Sequence, residues 1–89
     1  MNQNKTYVCV VFHHSDLRPE GEQMANNFIK SWNKTQLPFN LVVLDNESTI
    51  NYECLDNVKH DYIRVEDQIK IGGITGAWNI LCKHAIKKG

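Results

Sequence analysis

Four aliphatic residues followed at once by four polar ones, Leu41-Val42-Val43-Leu44-Asp45-Asn46-Glu47-Ser48, form the most informative stretch of this sequence. The aliphatic run is typical of a strand that is buried on both faces in a parallel sheet. It places Asp45 and Asn46 at the carboxyl end of that strand, where open α/β sheets bind their ligands. The alternative is that these two residues only shape the turn, because both readily hydrogen-bond nearby backbone.

A second apolar strand is predicted at Tyr7–Phe12, which is β-branched and aromatic and also lacks polar alternation. We expect this strand to be central and buried on both faces. It ends in His13 and His14, which could be ligands, bases or ordinary loop residues. The sequence favours contact between His13 and a bound ligand over metal binding, because no third and fourth metal ligand is visible nearby.

Helices are predicted between the strands. Pro19 can occupy the first turn of a helix that continues as an apolar stripe made of Met24, Ala25, Phe28, Ile29 and Trp32. Weaker signals predict a short helix over 51–55 that Ser48 could cap, with Tyr52 and Leu55 facing inward. A third strand near a sheet edge is predicted at Tyr62–Val65, and a last helix from about Thr75 to Lys88.

This alternation of strands and helices predicts an α/β fold with a three-stranded, mainly parallel sheet, flanking helices and right-handed crossovers. The last helix follows a glycine-rich stretch, Ile71-Gly72-Gly73-Ile74-Thr75-Gly76. A glycine-rich loop that leads into a helix N-terminus can bind an anion. It is neither a Rossmann fingerprint nor a P-loop, and the same glycines could simply allow tight packing between helix and strand.

Composition excludes several classes of protein. The 89 residues fit one domain, and 42% hydrophobic and 22% charged residues are ordinary for a globular protein. A net charge of zero gives no basic stripe, so we expect no nucleic-acid partner. We see no signal peptide and no apolar run of about 20 residues, and therefore expect a cytoplasmic protein without an integral membrane segment. Widely spaced cysteines predict reduced thiols rather than a zinc ribbon; they are Cys9, Cys54 and Cys82.

Two stretches together resemble the nucleotide-binding half of the A-fold (GT-A) inverting glycosyltransferases, which include rhamnosyl- and galactosyltransferases. Residues 42–48, Val-Val-Leu-Asp-Asn-Glu-Ser, look like the family's hydrophobic-hydrophobic-Asp-Asn-Gly-Ser motif. Residues 73–80, Gly-Ile-Thr-Gly-Ala-Trp-Asn-Ile, are similar to its Gly-Phe-Ala-Gly-Ala-Asn-Asn-Ile motif. The resemblance covers nearly the whole chain. It implies that residues 1–89 are a single Rossmann-like domain, the first half of a nucleotide-diphospho-sugar transferase fold.

The resemblance also implies a nucleotide-binding site for a UDP- or dTDP-sugar. Asp45 would hydrogen-bond the base or ribose, because a carboxylate can accept the imide N–H of uracil or thymine. His13 would line the base pocket, and the loop from Gly73 to Asn79 would close around the nucleotide. Trp78 could stack on a base, although its helical spacing also fits a core position. The nucleotide-binding residues expected on this basis are His13, Asp45, Asn46, Gly73, Trp78 and Asn79.

The sequence departs from the family pattern in several places. Glu47 stands where the family prefers Gly, Ile71 replaces an Asn, and Trp78 replaces an Asn or Arg. The Asp-x-Asp motif, which holds Mg or Mn in a complete family member, follows a further strand and is not found here. We therefore expect no catalytic residues, no metal ligands and no cofactor in this chain, and no sugar transfer by this truncated N-terminal region alone.

The sequence also predicts self-association and leaves two alternative functions open. The chain is expected to form a homo-oligomer, most simply a dimer, through an unpaired sheet edge such as Tyr62–Val65. The alternative function is a small receiver-like regulatory or interaction module without enzymatic activity, in which Asp45 would accept a phosphoryl group. Against this, receivers need acidic residues after the first strand, where His13 and His14 stand. A third hypothesis is a structural fragment without a ligand.

Overall fold

The computed structural model describes residues 6–88. The elements are β1 (Tyr7–Phe12), α1 (Gly21–Thr35), β2 (Asn40–Asn46), a short 3₁₀ helix (Glu53–Leu55), β3 (Asp61–Val65) and α2 (Gly73–Lys88). Neither α-helix in this part of the chain is long and apolar enough to cross a membrane.

The three strands form one parallel sheet in the order β1-β2-β3. Strand β2 is central, and its aliphatic residues from Leu41 to Leu44 are at most 2% exposed. Cys9 of β1 lies opposite Val42, and Ile63 of β3 lies opposite Leu44. The predicted α/β fold is confirmed, and the arrangement is consistent with a Rossmann-like half-fold.

Alternation along β2 divides the core into two layers. Leu41 and Val43 pack in the layer of α1, and Val42 and Leu44 pack in the layer of α2. The first layer also contains Phe12, Ala25, Ile29, Tyr52 and Leu55. The second contains Val65, Ala77 and Leu81. Burying each large aliphatic side chain contributes about 1.5–3 kcal/mol, so β2 stabilises both layers at once.

Strand β1 lies at an edge of the sheet, and the prediction of a central position for it is wrong. It pairs with β2 on one side, and no other strand of residues 6–88 pairs with it. Its residues from Tyr7 to Val11 are half-buried, whereas Phe12 is buried. Strand β1 is apolar throughout because helices cover both of its faces. A strand needs the same pattern whether or not a second strand pairs with its outer edge, so the pattern does not reveal an edge position. The edge position predicted for β3 is confirmed.

Helix boundaries differ from the predictions in detail. Helix α1 begins at Gly21 rather than at Pro19, and α2 begins at Gly73 rather than Thr75. The short helix is a single 3₁₀ turn that Ser48 does not cap, because the Ser48 hydroxyl instead lies 2.6 Å from the Tyr52 hydroxyl. Met24 is 64% exposed, so the predicted apolar stripe of α1 is only partly core.

Candidate functional site

A groove of about 910 Å³ lies beside β1 and extends past the carboxyl end of the sheet. Helix α1 starts next to the end of β1 and runs back along it. The residues that line the groove differ between its two ends. Polar residues line the end near the carboxyl edge; they include His13, Asn46 and Gln68. Apolar residues line the part along β1; they include Val10, Met24, Phe28 and Ile74.

Gly21 brings the first turn of α1 against the end of β1. A Cβ atom at this position would lie 2.0 Å from the carbonyl oxygen of His13 and 2.8 Å from the Cα of His14. Both atoms belong to the backbone, so neither can move aside without shifting the chain. Glycine is therefore required for this packing, and the sequence carried no local signal for it.

His14 ties the loop after β1 to α1 and to the loop after β2. Its Nδ1 accepts a hydrogen bond of 3.0 Å from the backbone N–H of Glu22, which satisfies one of the free donors in the first turn of α1. Its backbone N–H donates to Ser48 Oγ at 3.1 Å, and its carbonyl oxygen accepts from Thr49 N–H at 2.9 Å. His14 is a structural residue in this arrangement.

Asp45 lies on the α1 face of the sheet, is 1% exposed and does not line the groove. Its Oδ1 accepts the backbone N–H of Ser48 at 3.1 Å. Its Oδ2 accepts the Tyr62 hydroxyl at 2.5 Å and Arg64 Nη1 at 3.0 Å. Burial, and the hydrogen bond donated to Asp45, raise the pKa of Tyr62 to about 12. Buried carboxylates need such partners, and Ser48, Tyr62 and Arg64 supply them.

Asn46, the next residue, is 3% exposed and lines the groove. His13 Nδ1 donates to the Asn46 carbonyl oxygen at 2.7 Å, and Asn46 Nδ2 donates to Gln68 Oε1 at 3.4 Å. The buried Asn46 Oδ1 has no hydrogen-bond partner within residues 6–88. Because a carbonyl oxygen only accepts, His13 Nδ1 carries a proton, and Nε2 of the neutral ring is then an acceptor. Asn46, which lines the groove, therefore holds an enclosed acceptor, Oδ1, and His13 holds a second acceptor, Nε2.

Glu47 holds the turn after β2 in a left-handed conformation, with φ of 57°. This conformation costs a residue with a side chain about 1–2 kcal/mol. Two hydrogen bonds offset the cost: Glu47 N–H donates to the Val65 carbonyl oxygen at 2.8 Å, and Glu47 Oε1 accepts Gln68 N–H at 2.7 Å. The same two bonds place Gln68 beside Asn46.

The glycine-rich stretch serves local backbone needs. Gly73 has φ of 67°, and its N–H donates to the Gln68 carbonyl oxygen at 2.7 Å, so that donor is not free for an anion. A Cβ atom on Gly76 would lie 1.6 Å from the Ile71 carbonyl oxygen, which favours tight packing as the reason for this glycine. Trp78 is 43% exposed and Asn79 is exposed, and neither lines the groove.

Of the predicted site residues, the structure thus brings His13 and Asn46 together in the groove. It places Asp45 outside the groove against β3, and Gly73, Trp78 and Asn79 also lie outside. Gln68 was missed, although its position just after a strand end pointed to the carboxyl edge. The carboxylates along the groove outnumber its one arginine, Arg18; they are Asp16, Glu20 and Glu47.

No group of three or more His, Cys, Asp or Glu within residues 6–88 is placed to hold a metal ion. No family model, no curated protein and no solved structure matches this chain. A functional proposal therefore draws on the geometry of the groove and on the resemblance of the sequence motifs.

Proposed function

We propose that the groove binds the uracil or thymine nucleoside of a UDP- or dTDP-sugar, as the nucleotide-sugar-binding portion of a glycosyltransferase. The observation that carries the proposal is that Asn46 lines the groove while its enclosed Oδ1 has no hydrogen-bond partner among residues 6 to 88. An unmet buried acceptor costs about 1–3 kcal/mol, and turning the Asn46 amide toward a ligand donor in the groove recovers that cost. The imide N–H of uracil or thymine is such a donor.

His13 supplies a second polar contact. With its proton on Nδ1, the neutral ring presents Nε2 as an acceptor for a ribose hydroxyl. The apolar walls from Met24 and Phe28 suit the face of a planar base, since small-molecule sites combine apolar surface with a few placed polar groups.

The nucleotide-sugar assignment also draws on the family resemblance, and the backbone conformation of Glu47 supports that resemblance. The family motif has Gly at this position, and Glu47 adopts the positive φ that glycine reaches without strain. Asp45 takes a different role from the direct contact expected from the motif. It acts as a positioning residue that fixes the turn presenting Asn46, because its oxygens already accept bonds from Ser48, Tyr62 and Arg64.

The diphosphate is expected to add little to the affinity. The Arg18 side chain is 69% exposed, and its Nη1 lies 3.9 Å from Glu20 Oε2. A phosphate would therefore compete with the Glu20 carboxylate for Arg18. Gly73 N–H is already engaged. We therefore propose binding without sugar transfer by this chain alone. A cytoplasmic location stays a prediction.

The receiver-like alternative needs an Asp45 that a phosphodonor can reach. Asp45 is 1% exposed, and both of its oxygens accept hydrogen bonds. Phosphorylation would require breaking the contact with Arg64, so this geometry disfavours the alternative.

The test is an NMR titration of ¹⁵N-labelled protein with uridine, UDP and 3-methyluridine. We expect saturable shifts at Asn46 and Gln68 with uridine, and similar affinity for UDP. The 3-methyl group removes the imide N–H, so affinity for 3-methyluridine should fall about tenfold or more. Equal affinity for uridine and 3-methyluridine, or no shifts with any of them, would contradict the proposal.

A further inference from the structure

The two edges of the sheet differ in how they are protected. Strand β3 carries Asp61 and Arg64 along its length, and charges on an edge strand discourage pairing with other chains. Strand β1 has no charged residue and no proline between Tyr7 and Phe12. It is therefore the unprotected edge.

Backbone groups of alternate residues in β1 point away from the sheet. Asn40 N–H donates to the Thr6 carbonyl oxygen at 3.0 Å, which directs the backbone of Thr6 toward β2. In a parallel ladder this direction alternates, so the N–H and C=O groups of Tyr7, Cys9 and Val11 point to the open edge. These three residues are symmetric about Cys9.

Apolar side chains flank the open edge on both faces. Met24 and Phe28 of α1 lie along one side, and Ile74 of α2 lies on the other. Met24 is 64% exposed and Ile74 is 56% exposed. A strand that fills this edge must carry apolar side chains on both of its own faces. Strand β1 itself meets that requirement, because Val8 and Val10 pack in one layer and Cys9 and Val11 in the other.

We infer that two copies of this chain pair through β1, antiparallel and centred on Cys9, to form one continuous six-stranded sheet. A twofold axis normal to the sheet pairs Cys9 with the partner's Cys9, and Tyr7 with the partner's Val11. Each of these pairs exchanges two backbone hydrogen bonds, so every outward-pointing group of the strand is satisfied. The register also keeps α1 of both copies on one face and α2 on the other. Twofold dimers are the commonest closed assemblies.

The partner strand would cover Met24, Phe28 and Ile74, so pairing and nucleoside binding compete for the apolar part of the groove. Disulfide trapping without ligand tests the pairing directly. Hydrogen-bonded antiparallel pairs have Cα atoms about 5.5 Å apart, which a disulfide can bridge. A variant that retains Cys9 alone (Cys54→Ser, Cys82→Ser) should form a covalent dimer on mild oxidation with diamide. The matched control retains Cys54 alone (Cys9→Ser, Cys82→Ser), because both thiols are half-buried, and should form no covalent dimer.

Light scattering after size exclusion gives the second measurement. We expect twice the 10.3 kDa chain mass at micromolar concentration. Cys9→Pro removes an N–H that the monomer does not use, and edge strands tolerate proline there. It should weaken dimerisation more than about tenfold while a cooperative thermal transition remains. A monomeric wild type would overturn the inference. A dimer that gives no Cys9 disulfide would also overturn it, even if Cys9→Pro does not fold.

Discussion

Arg64 Nη1 lies 3.0 Å from Asp45 Oδ2 and also donates to the carbonyl oxygen of Ser48 at 2.9 Å. One guanidinium from β3 therefore holds both the last buried carboxylate of β2 and the turn that follows it. This contact joins the sheet to the loop that presents Asn46 to the groove.

Asp45→Asn should lower the free energy of unfolding by about 2 kcal/mol, because it removes the charge that Arg64 and Tyr62 contact. Breaking a fully buried pair costs about 3–5 kcal/mol, and the 36% exposure of the Arg64 side chain reduces this figure. Urea unfolding at pH 7 measures the change. Asp61→Asn is the matched control, since the 41% exposed Asp61 pairs with His84 at the surface and should cost well under 1 kcal/mol. An equal decrease in the free energy of unfolding in the two variants would contradict a stabilising role for the contacts of Asp45 with Arg64 and Tyr62.

Asn46→Leu should weaken uridine binding about tenfold or more, since leucine offers no acceptor to the imide N–H. Asn46→Asp keeps an oxygen at that position and should retain more of the affinity. Calorimetric titration of each variant with uridine measures the difference, and circular dichroism checks that both fold. The assignment fails if the leucine variant binds uridine as tightly as the wild type.

Tyr62 should make stability fall as pH rises from about 10 to 12. Its pKa is raised from 10.0 to about 12 in the folded protein by burial and by the bond to Asp45. In this window the unfolded chain releases the Tyr62 proton while the folded chain keeps it. The contribution of Tyr62 to the free energy of unfolding is therefore complete below pH 10 and lost above the folded pKa. Because Tyr62 is 49% exposed, we expect the free energy of unfolding to fall by only about 1 kcal/mol across this range. Urea unfolding of wild type and Tyr62→Phe across this range measures it, and parallel pH profiles would count against the effect.

Gly21→Ala should destabilise the protein by more than about 3 kcal/mol or prevent folding, because the added Cβ meets backbone atoms of β1. Gly76→Ala should behave similarly, since its Cβ meets the Ile71 carbonyl oxygen. Gly73→Ala is the contrasting variant. No atom of the described part of the chain lies within 4 Å of its added Cβ, so only the positive φ opposes the substitution, at about 1–2 kcal/mol. Thermal melts should rank Gly73→Ala as the mildest, and a reversed order would show that the close approaches relax.

The sequence by itself determined the elements and their class. The strand at Tyr7–Phe12 has the bounds that its residues predicted, and β2 is the buried centre that its aliphatic run indicated. Hydrophobic patterning is a local property, since it reports which faces of a segment are covered. That is why the alternation of strands and helices, and hence the parallel sheet, could be predicted.

Only the tertiary structure decided which of these residues form the groove. Asp45 and Asn46 are adjacent, yet alternation along β2 directs Asp45 toward Arg64 of β3, while Asn46 lines the groove beside His13. The edge position of β1 and the contact of Gly21 with His13 depend likewise on strand order and helix placement. Register and packing join residues far apart in the chain, so no local pattern carries them.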